Sequence, residues 1–150
     1  MSTDSQIQLG RKLIRYGILL FLLGLITGLL IPVMKYPRMG LSSHLEGTMN
    51  GMLLILFGLI LPKVHLPNRT LNWAYGLSLF GTFTNWGTTL LAGIWGAGAE
   101  MMPFAGGALH GAAWQENIIK VGLVTLSIAM IAVCGILLYG MSKSAEEVKN

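Results

Sequence analysis

Residues 13–31 read LIRYGILLFLLGLITGLLI, and after Arg15 this stretch holds no charged side chain. A helix rises about 1.5 Å per residue, so about 20 mostly apolar residues cross the roughly 30 Å hydrocarbon layer of a bilayer. The run is therefore expected to span a membrane and to stop at Pro32, which cannot continue a helix. Three further stretches repeat the pattern: 44–62, closed by Leu61-Pro62, then 71–95 and 117–141. Each is expected to be helical, because hydrocarbon offers no partner for the unpaired backbone of an open strand edge. The fold class is thus all-α, an integral membrane four-helix transmembrane bundle forming one domain over residues 1–150.

Composition agrees. Apolar residues make up 53% of the 150 and charged residues only 11%, against about 25% charged in a soluble domain. The mean hydropathy is +0.66. The net charge of +4 lies on the flanks of the apolar runs. No basic face or aromatic-interleaved basic motif accompanies it, so nucleic acid is not an expected partner. Cys134 stands alone in an apolar run, which excludes a disulfide framework and a cysteine-based metal site and leaves a small hydrophobe. Arg11, Lys12 and Arg15 ahead of an apolar run have the look of a secretory signal. Yet 16–31 is long for such a segment and Ile31-Pro32-Val33-Met34 is no small-residue cleavage site, so an uncleaved first span is expected.

Lysine and arginine asymmetry orients the bundle. With four spans, both termini and the middle loop share one side, which holds Arg11, Lys12, Arg15, Lys63, Arg69, Lys143 and Lys149; the other holds Lys35, Arg38 and Lys120. Seven against three places the N and C termini in the cytoplasm. Trp73, Tyr75, Trp95 and Trp114 fall near the expected boundaries, where amphipathic rings anchor. The connection 96–116, GAGAEMMPFAGGALHGAAWQE, is long and too apolar for a solvated linker, and is expected to fold back onto the bundle as a cover. It lacks the preceding strand and the Gly-Lys-Ser/Thr of a phosphate loop.

Polar residues in a bilayer are costly, so each needs a reason. Ser43 with Glu46 three residues on reads as a capping box at the start of the second helix, which would account for Glu46. His44 heads a stripe of Gly47, Gly51 and Gly58 on the helix wheel. Two uses fit that bare lane: a close helix contact of the small-xxx-small type, or clearance for a flat macrocycle whose iron the imidazole ligates. Asn50, four residues beyond Glu46 and well inside the span, must bond across helices or to a ligand, because an unpaired amide there costs several kcal/mol. In the third helix Ser78, Gly81, Thr82, Asn85, Thr88, Thr89 and Ala92 share one stripe, opposite Leu79, Phe83, Trp86 and Leu90. Such a stripe serves as interhelical glue or as the wall of a site for a small neutral substrate. His65 beside Lys63 and Arg69 reads as solvated, His110 has no assigned role, and Glu116 reads as a first-turn acid favoured by the helix dipole. No Ser-His-Asp order, HExxH motif, intramembrane carboxylate pair or Cys-His pair occurs. Either the protein transports something or a cofactor supplies the reactivity.

The stretch 41–52, LSSHLEGTMNGM, resembles the second-helix motif of the hydroxylaminobenzene mutase family. The resemblance extends to 81–86, GTFTNW, and to Trp95-Gly-Ala-Gly through 101–107, MMPFAGG. The His-x5-Asn-Gly arrangement is also similar to that of styrene oxide isomerases, trimeric four-helix membrane enzymes with ferric haem b between subunits. The resemblance implies His44 as the iron ligand with Gly47 and Gly51 beside the cofactor. It further implies Asn50 as the substrate-positioning amide, with Asn85 and Thr89 as catalytic neighbours. Where those isomerases carry a tyrosine beside the substrate this chain has Thr89, which disfavours epoxide isomerisation. The implied reaction is rearrangement of phenylhydroxylamine to 2-aminophenol by haem-assisted intramolecular hydroxyl transfer. The implied partners are a small aromatic hydroxylamine, the lipid bilayer and two further copies in a homotrimer. The implied location is a bacterial-type inner (cytoplasmic) membrane. The rival from another class is a small four-helix exporter of hydrophobic compounds. Such exporters place a carboxylate in mid-membrane, whereas Glu46 is expected at a helix start.

Overall fold

The computed structural model describes residues 3–106 and 109–147, and among them it is helical with no strand. Helix α1 (Thr3–Leu30) ends in a 3-10 turn (Ile31–Val33) that carries Pro32. Helix α2 (Pro37–Ile60) opens with proline in its first turn, where the missing N–H costs nothing, and closes in a 3-10 turn (Leu61–Lys63) at Pro62. Helix α3 (Asn68–Trp95) is stopped by Gly96 in the left-handed region at φ 69°, its N–H returning to Ala92 O at 2.9 Å. A short turn of helix, α4 (Pro103–Gly106), interrupts the next connection, and α5 (Ala113–Glu147) completes the described chain.

Three helical segments, Asp4–Val33, Pro37–Lys63 and Ala113–Lys143, are long and apolar enough to cross a membrane. Helix α3 is not among them, because the polar stripe through Ser78, Thr82, Asn85 and Thr88 lowers its hydropathy; of these, Ser78, Thr82 and Thr88 are buried, Thr82 completely. The outer surface is apolar, with Leu29, Val121, Ile131 and Leu138 well exposed.

The helices follow chain order: α1 packs on α2, α2 on α3, and α3 on α5, with only a light α1–α3 contact. The four long helices therefore form an open row more than a closed bundle. The α1–α2 seam is made of backbone. A Cβ at Gly10 would stand 2.5 Å from Gly58 O, one at Gly17 2.7 Å from Gly51 O, and one at Gly24 2.6 Å from Thr48 N. Above and below this seam, Leu13, Leu20, Leu54, Phe57 and Leu71 form the main core with Val133 and Leu137 of α5. A smaller core of Met39, Ala92, Ala97 and Ile119 joins α2, α3, the connection and α5 at the opposite end.

Two expectations about the second helix are corrected. It begins at Pro37, not at His44, so Ser43 and Glu46 lie inside it and form no capping box. The Ser43 hydroxyl instead donates to Trp86 O of α3 at 3.2 Å. Local capping chemistry lost to a tertiary partner.

The connection 96–112 lies over that second core. Ala97 and Ala99 are buried, Met102 packs against Met39 and its neighbours, and an Arg38 guanidinium N–H donates to Phe104 O at 3.3 Å. Glu116, only 5% exposed in the first turn of α5, accepts Gly98 N–H on Oε2 and Gly111 N–H on Oε1, both at 2.9 Å. One carboxylate thereby ties down both flanks of the connection.

Candidate active site

Helix α2 lies between α1 and α3, and it offers different residues to each neighbour. Towards α3 it presents Glu46 and Asn50, one turn apart. The Asn50 Nδ2 donates at 2.9 Å both to the Glu46 backbone oxygen and to Glu46 Oε2. From α3 the Asn85 Nδ2 donates to the same Oε2 at 2.6 Å. One carboxylate oxygen thus gathers carboxamides from two helices. Oε2 accepts from both, so each amide turns its nitrogen towards it. Among the described residues no hydrogen bond reaches Oδ1 of either asparagine or Oε1 of Glu46. Glu46 sits nine residues beyond Pro37, about 13 Å into the helix. That depth removes the contrast with exporters, which place a carboxylate in mid-membrane.

Towards α1 stand His44, Gly47 and Gly51. The His44 Nδ1 lies 2.8 Å from Gly24 O. A carbonyl only accepts, so Nδ1 carries the proton and Nε2 is left with the lone pair. The half-buried ring fits because Gly28 has no side chain; a Cβ there would stand 2.8 Å from Nδ1. The glycine lane is filled by α1: a Cβ at Gly47 would meet Gly24 Cα at 2.5 Å, and one at Gly51 would meet Phe21 N at 2.6 Å. Of its two possible uses, the close helix contact is the one this chain makes. Among the described residues no group of three His, Cys, Asp or Glu could hold a metal ion, so a metal here would rest on His44 with its other ligands supplied from outside the side chains.

The remaining stripe residues of α3 are self-satisfied. Ser78 donates to Ala74 O, Thr82 to Ser78 O, Thr88 to Thr84 O and Thr89 to Asn85 O, each on its own helix. Thr89 is buried one turn from Asn85, but its hydroxyl proton is committed to that helix, with Trp86 O as a second acceptor at 3.0 Å. Glue through hydroxyls is therefore not what the stripe provides; Asn85 alone among its asparagine and hydroxyl side chains bonds across to α2. Asn50 likewise finds its partner on its own helix, and reaches α3 only through Glu46.

Two contributors escaped the sequence reading. Trp86 is expected on the apolar side of α3, yet its Nε1 donates to Thr27 Oγ1 of α1 at 3.1 Å and its ring edge abuts Gly47. It pins all three helices beside the Glu46 cluster. Gly10, Gly17 and Gly24 recur every seven residues in α1, a visible signal for a helix seam.

The residues quoted above all lie within residues 9–142, which match the family model described as styrene oxide isomerase. The chain belongs to the styrene oxide isomerase family. It is 49% identical over 149 residues to hydroxylaminobenzene mutase HabB of Ectopseudomonas oleovorans, covering 99% of this chain and 89% of the relative. It is 45% identical over 125 residues to hydroxylaminobenzene mutase HabA of the same organism, covering 83% and 93%. No solved structure matches it. The family and the mutase resemblance expected from the second- and third-helix motifs are thus shown, and the chain is an isomerase of the mutase type. In this isomerase the motif residues Glu46, Asn50 and Asn85 converge on one oxygen, while the motif histidine faces the other way, onto α1.

Proposed function

We propose that this isomerase spans a bacterial-type inner membrane four times with both termini cytoplasmic, and rearranges phenylhydroxylamine to 2-aminophenol. The observation that carries the reading is the near full-length identity to hydroxylaminobenzene mutase HabB. Helix α3 serves as the fourth span: its 28 residues cover about 42 Å, more than the roughly 30 Å of hydrocarbon, with the polar stripe turned inward.

The reaction balances without an external oxidant or reductant. The N–O bond breaks, the oxygen joins the ortho carbon, that carbon loses its proton and the nitrogen gains one. Asn50 and Asn85, anchored on Glu46, hold the hydroxylamine head between α2 and α3. Anchored amides need no reorganisation as charge develops, which is where fixed dipoles outperform water. The rearrangement needs bulk water kept from the ring, since capture by water gives the para product instead. Thr89 closes the wall beside Asn85 by shape, since its hydroxyl is spent on its own helix.

His44 fits a haem b ligand: its Nδ1 is oriented by a backbone carbonyl, the arrangement that leaves Nε2 free and basic. Gly47 and Gly51 do not add a cradle, because α1 occupies their lane. Bound there, ferric haem would supply Lewis-acid pull on the N–O oxygen. In a homotrimer a neighbouring copy would cover part of the exposed apolar faces and supply the haem contacts beyond His44.

The second reading is epoxide isomerisation, favoured by the description of the family model. Detergent-purified protein given phenylhydroxylamine and styrene oxide in parallel separates the two. Ortho-aminophenol from the first, with slow or no turnover of the second, is expected. Turnover of styrene oxide alone overturns the mutase reading, and export without product from either supports a transporter.

A further inference from the structure

We infer that Glu46 is a positioning residue that sets the hydrogen-bond polarity of the substrate site, selecting ligands that donate over ligands that only accept. This rests on the mutase reading and names a discrimination that reading leaves open.

A carboxamide is ambivalent, with a carbonyl at one end and an NH2 at the other, and either end can face a ligand. Two unanchored asparagines would therefore accommodate a donor or an acceptor with similar ease. Here Oε2 of Glu46 takes Nδ2 of Asn50 at 2.9 Å and Nδ2 of Asn85 at 2.6 Å. Turning either amide over would set a carbonyl oxygen against a carboxylate oxygen. Asn50 has the further bond to the Glu46 backbone oxygen holding the same orientation. Both Oδ1 atoms are then the ends left over, and no hydrogen bond from the described residues reaches them. With Oε1 of Glu46 likewise unengaged, the cluster leaves three oxygens free against a single N–H, the second on Asn85 Nδ2, since both N–H groups of Asn50 are taken.

An aryl hydroxylamine suits that surface because it carries two donors, N–H and O–H, on adjacent atoms. An epoxide has none. A ligand that only accepts finds one N–H against three oxygens and leaves those acceptors without partners, the arrangement by which polar sites reject analogues most strongly. Hydroxylamine is thereby favoured over epoxide without a part for Thr89.

Benzyl alcohol and benzaldehyde form a nearly isosteric pair, one able to donate and the other not. Their inhibition constants against phenylhydroxylamine turnover would be measured for wild type, Glu46→Ala, Glu46→Gln and Asn85→Ala, with folding checked by thermal unfolding in detergent. Wild type is expected to prefer the alcohol, and Glu46→Ala to shrink that preference about tenfold, the worth of one well-made hydrogen bond. Glu46→Gln keeps a carbonyl that can take both amides but puts an NH2 where the free Oε1 was, so it should lower the preference about threefold, between wild type and Glu46→Ala. Asn85→Ala removes one presented carbonyl and should also shrink the preference, which serves if Glu46→Ala fails to fold. A ratio unchanged in both alanine variants overturns the inference, as does Glu46→Gln behaving like Glu46→Ala. Absence of phenylhydroxylamine turnover in wild type removes the mutase reading and this inference with it.

Discussion

The imidazole Nδ1 of His44 lies 2.8 Å from the carbonyl oxygen of Gly24, a contact between the second and first helices that settles which ring nitrogen carries the proton. The bond reaches its acceptor only because Gly28 leaves room for the ring. It leaves Nε2 available as a metal ligand, and the first prediction follows from that. Protein purified from haem-supplemented cells is expected to show a Soret band that His44→Ala loses, with the elution volume of the detergent complex unchanged. A colourless wild type that haemin does not colour would refute the ligand role.

Gly28 offers a test of the same site that spares the histidine. A side chain at Gly28 would stand 2.8 Å from Nδ1 and must displace the ring from Gly24. Gly28→Val is expected to weaken the Soret band or shift its position, while stability falls by about 2 kcal/mol, as for an overpacked contact. An unaltered spectrum would show that the Gly24 bond does not orient the ligand.

Asn50 and Asn85 share Glu46 Oε2, so neither acts alone. Each alanine variant should lower kcat about tenfold to a hundredfold, in line with loss of one fixed donor or acceptor at developing charge. The double variant should lose less than the product of the two, because groups in one network do not add. Full activity in either single variant would reduce that asparagine to packing. Visible spectra of both should match wild type, since His44 faces α1.

Backbone-to-backbone contact along Gly10–Gly58, Gly17–Gly51 and Gly24–Gly47 allows no intervening side chain. Gly17→Leu is expected to destabilise by about 3 kcal/mol or to prevent folding, the upper end for overpacking a tight interface. Gly76→Leu, on α3 where a Cβ meets nothing within 4 Å, should melt like wild type. The comparison of the two melting curves in detergent is the check.

The Glu116 carboxylate accepts two backbone N–H groups from opposite flanks of the connection. Charge-assisted bonds of this kind contribute roughly 1.5–3 kcal/mol each. Glu116→Ala should therefore make the segment between Gly98 and Gly111 cleavable by protease at concentrations that leave wild type intact. Equal cleavage rates would show that the clip does not hold the connection down.

Much of this architecture was legible in the chain. Pro32 and Pro62 mark the ends of two helices in the sequence itself, and the third ends at Trp95 as expected, with Gly96 as its stop seen only in the structure. Starts were harder. The Ser43/Glu46 pattern is a sound local signal for a helix start. It failed because Ser43 had Trp86 O to bond and Glu46 had two amides, partners that exist only once α2 meets α3. The asparagines were picked out for being polar at depth, but that they meet on a carboxylate depends on the register between two helices. The glycine stripe of α2 was visible as well. Whether it faced a ligand or a neighbour turned on the matching glycines of α1, and a single helix wheel does not contain that information.

The seam between α1 and α2 has one mechanical consequence. With main chain pressed on main chain along the length of both helices, the pair behaves as a single stiff stave. A flat aromatic ring arriving sideways from lipid cannot part those two helices. Breathing that admits it must occur where side chains meet, between α2 and α3 or along the α3–α5 groove of about 570 Å³ floored by Thr84 and Gly122. Slower amide exchange in α1 and α2 than in α5 would register that division of labour.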